Sequence, residues 1–349
     1  MTTTTPAMTT TTQADLLSSV LATSRAALEP ALRDAVRTRL SPELGQIAQY
    51  HIGWADADGR PTSTWGGKLV RPTLALLSAR AANGTATDGI PAAVAIELVH
   101  NFSLLHDDIM DGDTSRRGRA TAWKVFGVPG AILAGDALVA AAGSVLLDAD
   151  GKGAASAATS LMTATQRMIS GQGADVGFER RGDVTLAECV RMAGDKTGAL
   201  LACACSLGAD LVGADPGLVK RLAAFGEHVG LAFQLVDDLL GIWGEERQTG
   251  KQVGADLRVR KKSLPVVAAL CADGSEELAA LYLSPEPLSE PDVRHVADLV
   301  ERFGGRDWAR DEAARQVASA EECLAAAGLP DGVRHEFQEV AGFIVGRRF

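Results

Sequence analysis

Cysteine is scarce in this 349-residue chain: Cys189, Cys203, Cys205, Cys271 and Cys323 are the whole set, and none belongs to a CxxC pair. That spacing argues against a cysteine metal site or a redox dithiol, and the thiols read as small core residues of a reducing cytosol. The chain also lacks a basic excess, with a formal net charge of -10, which argues against nonspecific nucleic-acid binding. It has no 18-residue run of uninterrupted apolar residues, so no transmembrane helix is expected. It has no succession of alternating strands, no GxGxxG after a strand and no internal repeat. The first 15 residues, MTTTTPAMTTTTQAD, lack an apolar core. They read as a disordered tail over 1–15, neither signal peptide nor anchor.

What remains is helix. Hydrophobic residues make up 46% of the chain, enough for a large core. From about residue 14, apolar side chains recur at three- and four-residue spacing. Helix starts are visible at Ser41-Pro42-Glu43, at Thr185 with Glu188, and at Ser289 with Pro291 and Asp292. The last of these helices should stop at Gly304-Gly305. Gly-containing breaks at 56–61, 82–85 and 271–275 fit helix links. The expectation is a single all-α domain over 16–349, with the helices of two aspartate clusters facing each other across a central cavity.

Those clusters carry the chemistry. The first, LLHDDIMDGDTSRRG, holds Asp107, Asp108 and Asp111, then Arg116 and Arg117; the second, FQLVDDLLG, holds Asp237 and Asp238. Residues four apart share a helix face, so Asp107 and Asp111 repel unless something offsets them. Carboxylates on one face suit Mg²⁺, which binds through one or two of them plus substrate phosphates. Guanidinium groups suit the phosphates. A DDxxD alone is more often a solvated helix end. Here it follows an apolar Ser-Leu-Leu, and acids are seldom buried without partners.

GGKLVRP places Lys68 and Arg71 three apart, as a phosphate clamp or as a basic loop before a helix beginning at Pro72. His100 lies two turns before Asp107 on the same face, though a lone histidine is more often core. GQGAD (Gln172, Asp175), DKTG (Lys196, Thr197) and TGKQVGADLRVRKKSLP (Lys251, Asp256, Lys261, Lys262) follow. Each lysine could equally be a solvated surface residue, and Lys262 is read that way.

Taken in order from Gly66 to Pro265, GGKxxRP, HNFSLLHDDIMD, RRG, Gly135-Asp136, GQxxD, KT, FQxxDD, GK and KxSLP resemble the trans-isoprenyl diphosphate synthases. The C-terminal helices and Arg347-Arg348-Phe349 fit as well. The resemblance implies an all-α isoprenoid-synthase bundle, usually a cytoplasmic homodimer. It implies a cluster of about three Mg²⁺ per active site, with Asp107, Asp111 and Asp237 as ligands and Asp108 beside them. Arg116, Lys196 and Lys261 would hold an allylic diphosphate; Lys68, Arg71, His100 and Arg117 would hold isopentenyl diphosphate. Thr197, Gln234 and Lys251 would contact substrate.

Three positions depart from the family pattern: Gly241 where the second motif has its last acid, Arg260 where glycine is frequent, and Ala120 in place of proline. Restoring the acid at 241 is expected to lower the Mg²⁺ requirement. The readings that compete are a non-catalytic partner subunit, motivated by Gly241, and a class I terpene cyclase, which needs no second diphosphate site. Phe102, about 7.5 Å below Asp107 at 1.5 Å per residue, is expected to floor the product cavity, with small Ser103 beside it. An aromatic there implies geranylgeranyl diphosphate, with farnesyl or longer products as alternatives.

Overall fold

The computed structural model describes residues 13–62, 67–246 and 252–346. The Thr-rich segment before residue 13, Gly66, Lys251 and Arg347-Arg348-Phe349 lie outside them. Helices dominate: α1 (Gln13–Arg39), α2 (Pro42–Ile52), α3 (Val70–Ala81), α4 (Ile90–Met110), α5 (Ala122–Leu147) and α6 (Ala154–Phe178). Next come α7 (Leu186–Ala193), a π turn (Gly194–Gly198), α8 (Ala199–Leu211) and α9 (Pro216–Trp243). Short α10 (Ala255–Arg258), α11 (Leu264–Leu270) and α12 (Glu276–Tyr282) precede α13 (Glu290–Arg302), α14 (Gly305–Ala326) and α15 (Asp331–Val345). Among the described residues the only sheet is a two-residue ribbon, β1 (Ser115–Arg116) with β2 (Arg119–Ala120).

The anticipated starts are real. Ser41 accepts a hydrogen bond from the Leu44 amide, and Thr185/Glu188 and Ser289/Asp292 form capping boxes. Each satisfies amides that a helix N-terminus leaves open. Gly304 and Gly305 separate α13 from α14 as expected. The two long apolar helices α4 and α9 both pack on α8; α4 also packs on α3 and α5, and α9 on α14. The largest core cluster joins α1–α6, α8, α9, α14 and α15, while a second joins α6, α7, α9, α11 and α14. The last turns of α4 carry Asp107 and Asp108, and Asp237 and Asp238 lie about two turns before the end of α9.

By length and composition α5 is the one described helix that could cross a membrane. It packs against α4, α2 and α6 and kinks at Gly127, whose φ of 80° breaks the helix just before Pro129.

Candidate active site

The apolar run of α4 is buried up to Leu105, and its last turn turns polar at the edge of a cavity of about 490 Å³. Asp107 lines this cavity with Gln172 of α6 and Lys196 and Thr197 of the π turn. Its apolar part is made by Phe102, Met168, Leu200 and Phe233, with Ser103 alongside. Burial pushes the Asp107 carboxyl up to about 6; Lys196 opposes this and Asp111 adds to it. Burial raises Asp111 too. Desolvated carboxylates that repel one another are a site that a cation would stabilise.

Asp108 points elsewhere. It is 1% exposed, and its Oδ1 accepts from Arg116 Nε at 2.7 Å while Oδ2 has no partner. A buried carboxylate needs such a partner, so Asp108 anchors the Arg116–Arg117 loop. The same loop is pinned from α2: Tyr50 donates to the Ala120 carbonyl at 2.8 Å, and Arg119 donates to the Ala55 carbonyl at 2.8 Å. Tyr50 thus accounts for a carbonyl at the place where the pattern has proline.

On the facing helix, Asp238 is also fully committed. It accepts from Gln234 Nε2 at 2.9 Å, Lys261 Nζ at 3.0 Å and the Leu264 amide at 2.9 Å. Thr197 donates to Gln234 at 2.7 Å. Gln234 and Thr197 are therefore links between the π turn and Asp238. Burial works to lower the Lys261 pKa, but Asp238 and Asp256 outweigh it and hold the ammonium well above its ordinary value. Lys196 is ion-paired with Asp175. It reaches the cavity because Gly171 of α6 has no side chain: a Cβ there would sit 2.7 Å from the Lys196 Cα.

A second cavity, of about 570 Å³, shares Arg71, His100 and Phe233 with the first. It brings together Lys68, Arg71, His100 and Arg117, as the sequence implied, and is closed by Phe343 of α15. Burial, then the charges of Arg71 and Arg117, keep His100 well below its usual range, so it offers a neutral imidazole. The Arg71 Nε is buried without a partner.

The chain is similar to known proteins over nearly its whole length. The polyprenyl synthetase family model matches residues 60–300. The (2E,6E)-farnesyl diphosphate synthase of Mycobacterium tuberculosis is 45% identical over 334 residues, covering 94% of this chain and 93% of that one. The same organism's geranylgeranyl diphosphate synthase is 43% identical over 324 residues, covering 92% and 91%. The crystal structure of a polyprenyl synthetase from Streptomyces coelicolor A3(2) superposes with a TM-score of 0.89 at 50% identity, covering 94% of this chain and 99% of that one. This chain belongs to the polyprenyl synthetase family. It is a trans-prenyltransferase, built as the isoprenyl synthase helical fold.

Among the described residues no three side-chain ligands converge on one point. Asp107 and Asp111, desolvated at the end of α4, are the carboxylates there that would suit a divalent cation.

Some features were not anticipated. Lys262, read as a solvated lysine, is 7% exposed with its ammonium 5.2 Å over the Tyr282 ring. The Tyr282 hydroxyl, which donates to the Lys261 carbonyl, pulls this turn inward. Arg260 has φ 54°, a left-handed conformation costing a non-glycine residue about 1–2 kcal/mol. Its guanidinium offsets the cost by donating to the carbonyls of Leu281 and Tyr282 at 2.7 and 2.6 Å. The glycine usual there is explained, and so is its absence. Gly241 is not a vacant acid position: a Cβ there would sit 2.5 Å from Asp256 Cγ. An aspartate added at 241 would meet the Asp256 carboxylate already in place.

Glu97 was missed as well. It lies buried in the basic cavity, hydrogen-bonded by Asn101 Nδ2 at 3.0 Å, and burial pushes its carboxyl up to about 7. Its place three residues before His100, on the same face, was the available signal. His51 of α2, held neutral at about 3 by burial and then by Arg116 and Arg117, carries no such signal because nothing local marks it.

Proposed function

We propose that this polyprenyl synthetase condenses isopentenyl diphosphate with an allylic diphosphate, head to tail (1'-4), and releases geranylgeranyl diphosphate. The observation that carries the reading is the pair of cavities with a shared wall. One is rimmed by acids that suit Mg²⁺-diphosphate, the other by cations that suit a diphosphate directly. A class I cyclase has no use for the second. A non-catalytic partner subunit has no use for a complete first acidic cluster.

In the reaction the allylic C–O bond breaks, and its electron pair leaves with the diphosphate. The double bond of isopentenyl diphosphate attacks the resulting cation, and a proton is lost to the departed diphosphate. Lys196, Lys261 and Arg116 hold the leaving oxygens in fixed positions. Preorganised donors of this kind are worth about 3–4 kcal/mol each in other enzymes. Bound Mg²⁺ would supply further Lewis-acid stabilisation of the same charge. Lys68, Arg71 and Arg117 grip the second diphosphate, while Phe102, Met168, Leu200 and Phe233 keep water from the cation. Glu97, whose carboxyl burial pushes up to about 7, sets less negative charge against that diphosphate than an ordinary carboxylate would.

Phe102 walls the cavity below Asp107, which supports a C20 product. Identity of 45% to a farnesyl diphosphate synthase favours C15 as the second reading. The domain is taken as one unit over 16–349. Its free thiols suit a cytoplasmic enzyme. Exposed Val125, Val128, Ile132 and Leu133 on α5, with Ile169 and Val176 on α6, suit a homodimer. The test is product analysis with Mg²⁺, isopentenyl diphosphate and an allylic primer. A C20 diphosphate supports the reading, a hydrocarbon or alcohol means a cyclase, and no product means a partner subunit.

A further inference from the structure

Glu97 is an acid in a basic place. It lies in the buried run of α4, 6% exposed, and lines the second cavity beside Lys68, Arg71 and Arg117. Asn101 Nδ2, one turn on, donates to its Oε1 at 3.0 Å. Burial works against its charge and outweighs Arg71 of α3 and Arg117 of the β1–β2 turn, which favour that charge through space. Lys68, just before α3, is held 4.4 Å over the Phe343 ring. Arg25 of α1 reaches the same edge and donates to the Gly67 carbonyl at 2.6 Å. The nearby imidazoles, His100 on α4 and His51 on α2, are kept neutral by burial and by the arginines. α8, α9 and α15 line this cavity with apolar side chains, while Asp136 of α5 and Gln172 of α6 face the other one.

A diphosphate in this cavity sets its oxygens against the Glu97 carboxyl. Like charges sharing a buried site do not both ionise without cost. Lys68, Arg71 and Arg117 supply three positive charges, as many as a fully ionised diphosphate monoester carries negative. An ionised Glu97 would leave one buried charge unmatched. Arg71 Nε is buried without a hydrogen-bond partner, so the cavity already holds a donor in excess. Ionised, Glu97 competes with the ligand for both guanidinium groups; protonated, it leaves them to the ligand and offers its own O–H as a donor.

We propose that isopentenyl diphosphate enters this cavity together with a proton, taken from solvent onto the Glu97 carboxylate, so that Glu97 meets the diphosphate as a neutral O–H donor. The inference rests on the preceding reading that the second cavity takes the second diphosphate, and adds the proton to it. Binding draws Arg71 and Arg117 toward the ligand and places negative charge beside Glu97, and both changes strengthen its hold on the proton. Its carboxyl titrates at about 7 in the free chain. Affinity is therefore full below that pH and falls as pH rises through it.

The test is titration calorimetry of isopentenyl diphosphate into the full chain, repeated in buffers of different ionisation enthalpy to count protons. Wild type should take up roughly half a proton more than Glu97→Gln at about pH 7, and close to one more at about pH 8. Relative to Glu97→Gln, which shares the ligand's own ionisation, its Kd should weaken about fivefold between those pH values. A counter-ion role, in which ionised Glu97 orients Arg71 and Arg117, predicts the reverse: weaker binding by Glu97→Gln at every pH and equal proton counts. Equal counts, or a Kd ratio that does not change with pH, overturn the proposal and leave the second diphosphate site standing. Should Glu97→Gln fail to fold, wild type alone decides: an uptake that does not grow over the same pH interval overturns the proposal. No binding of isopentenyl diphosphate at any pH overturns the underlying reading, and the proposal with it.

Discussion

Adjacent aspartates at the end of α4 have opposite duties. Asp107 faces the cavity, where its charge is costly without a cation, while Asp108 is buried against Arg116. Asp107→Ala should therefore lower kcat by at least about 100-fold, as loss of a key electrostatic group does elsewhere, with an unchanged or higher Tm. Asp108→Ala should instead cost about 2–3 kcal/mol of stability in urea unfolding, because it strands a half-buried guanidinium. Glu97 gives a pH signature. Its carboxyl titrates at about 7 in the folded chain against an ordinary 4.5. Between those values the folded state binds more protons than the unfolded one, so stability falls as pH rises. Glu97→Gln should flatten that decline by roughly 2–3 kcal/mol, read from urea midpoints at both ends of the window.

At the scale of elements, close approach decides where the cations sit. Gly171→Ala would push α6 away from the π turn that carries Lys196. Overpacking costs about 1–3 kcal/mol, so a lower Tm in calorimetry should come with a raised KM for the allylic substrate. An unchanged KM would mean that the π turn does not position Lys196. Helices and their caps were legible in the sequence, because capping boxes and apolar spacing are local patterns. The place of Asp107 at a cavity and of Lys68 with Arg71 at another was legible for the same reason. The π turn and the approach of α10 to Gly241 were not, since each depends on a partner far along the chain. Lys262 was misread because its burial is set by Tyr282, twenty residues later.

Across the whole molecule, α3, α4, α8 and α9 bound two cavities that share Arg71, His100 and Phe233, and the one holding Asp107 continues against α6. Product length should follow from its depth. Phe102→Ala removes the ring between Asp107 and the interior, so chromatography should show products longer than those of the wild type. An identical distribution would mean that Phe102 is packing alone. The central claim is that two diphosphates bind at once, one in each cavity. It is tested most directly by calorimetric binding of isopentenyl diphosphate to protein already saturated with Mg²⁺ and a non-ionisable allylic diphosphate analogue. The account predicts full-stoichiometry binding in the presence of the analogue, abolished by Lys68→Ala with Arg71→Ala, while analogue binding persists in that variant. Displacement of one ligand by the other would contradict it.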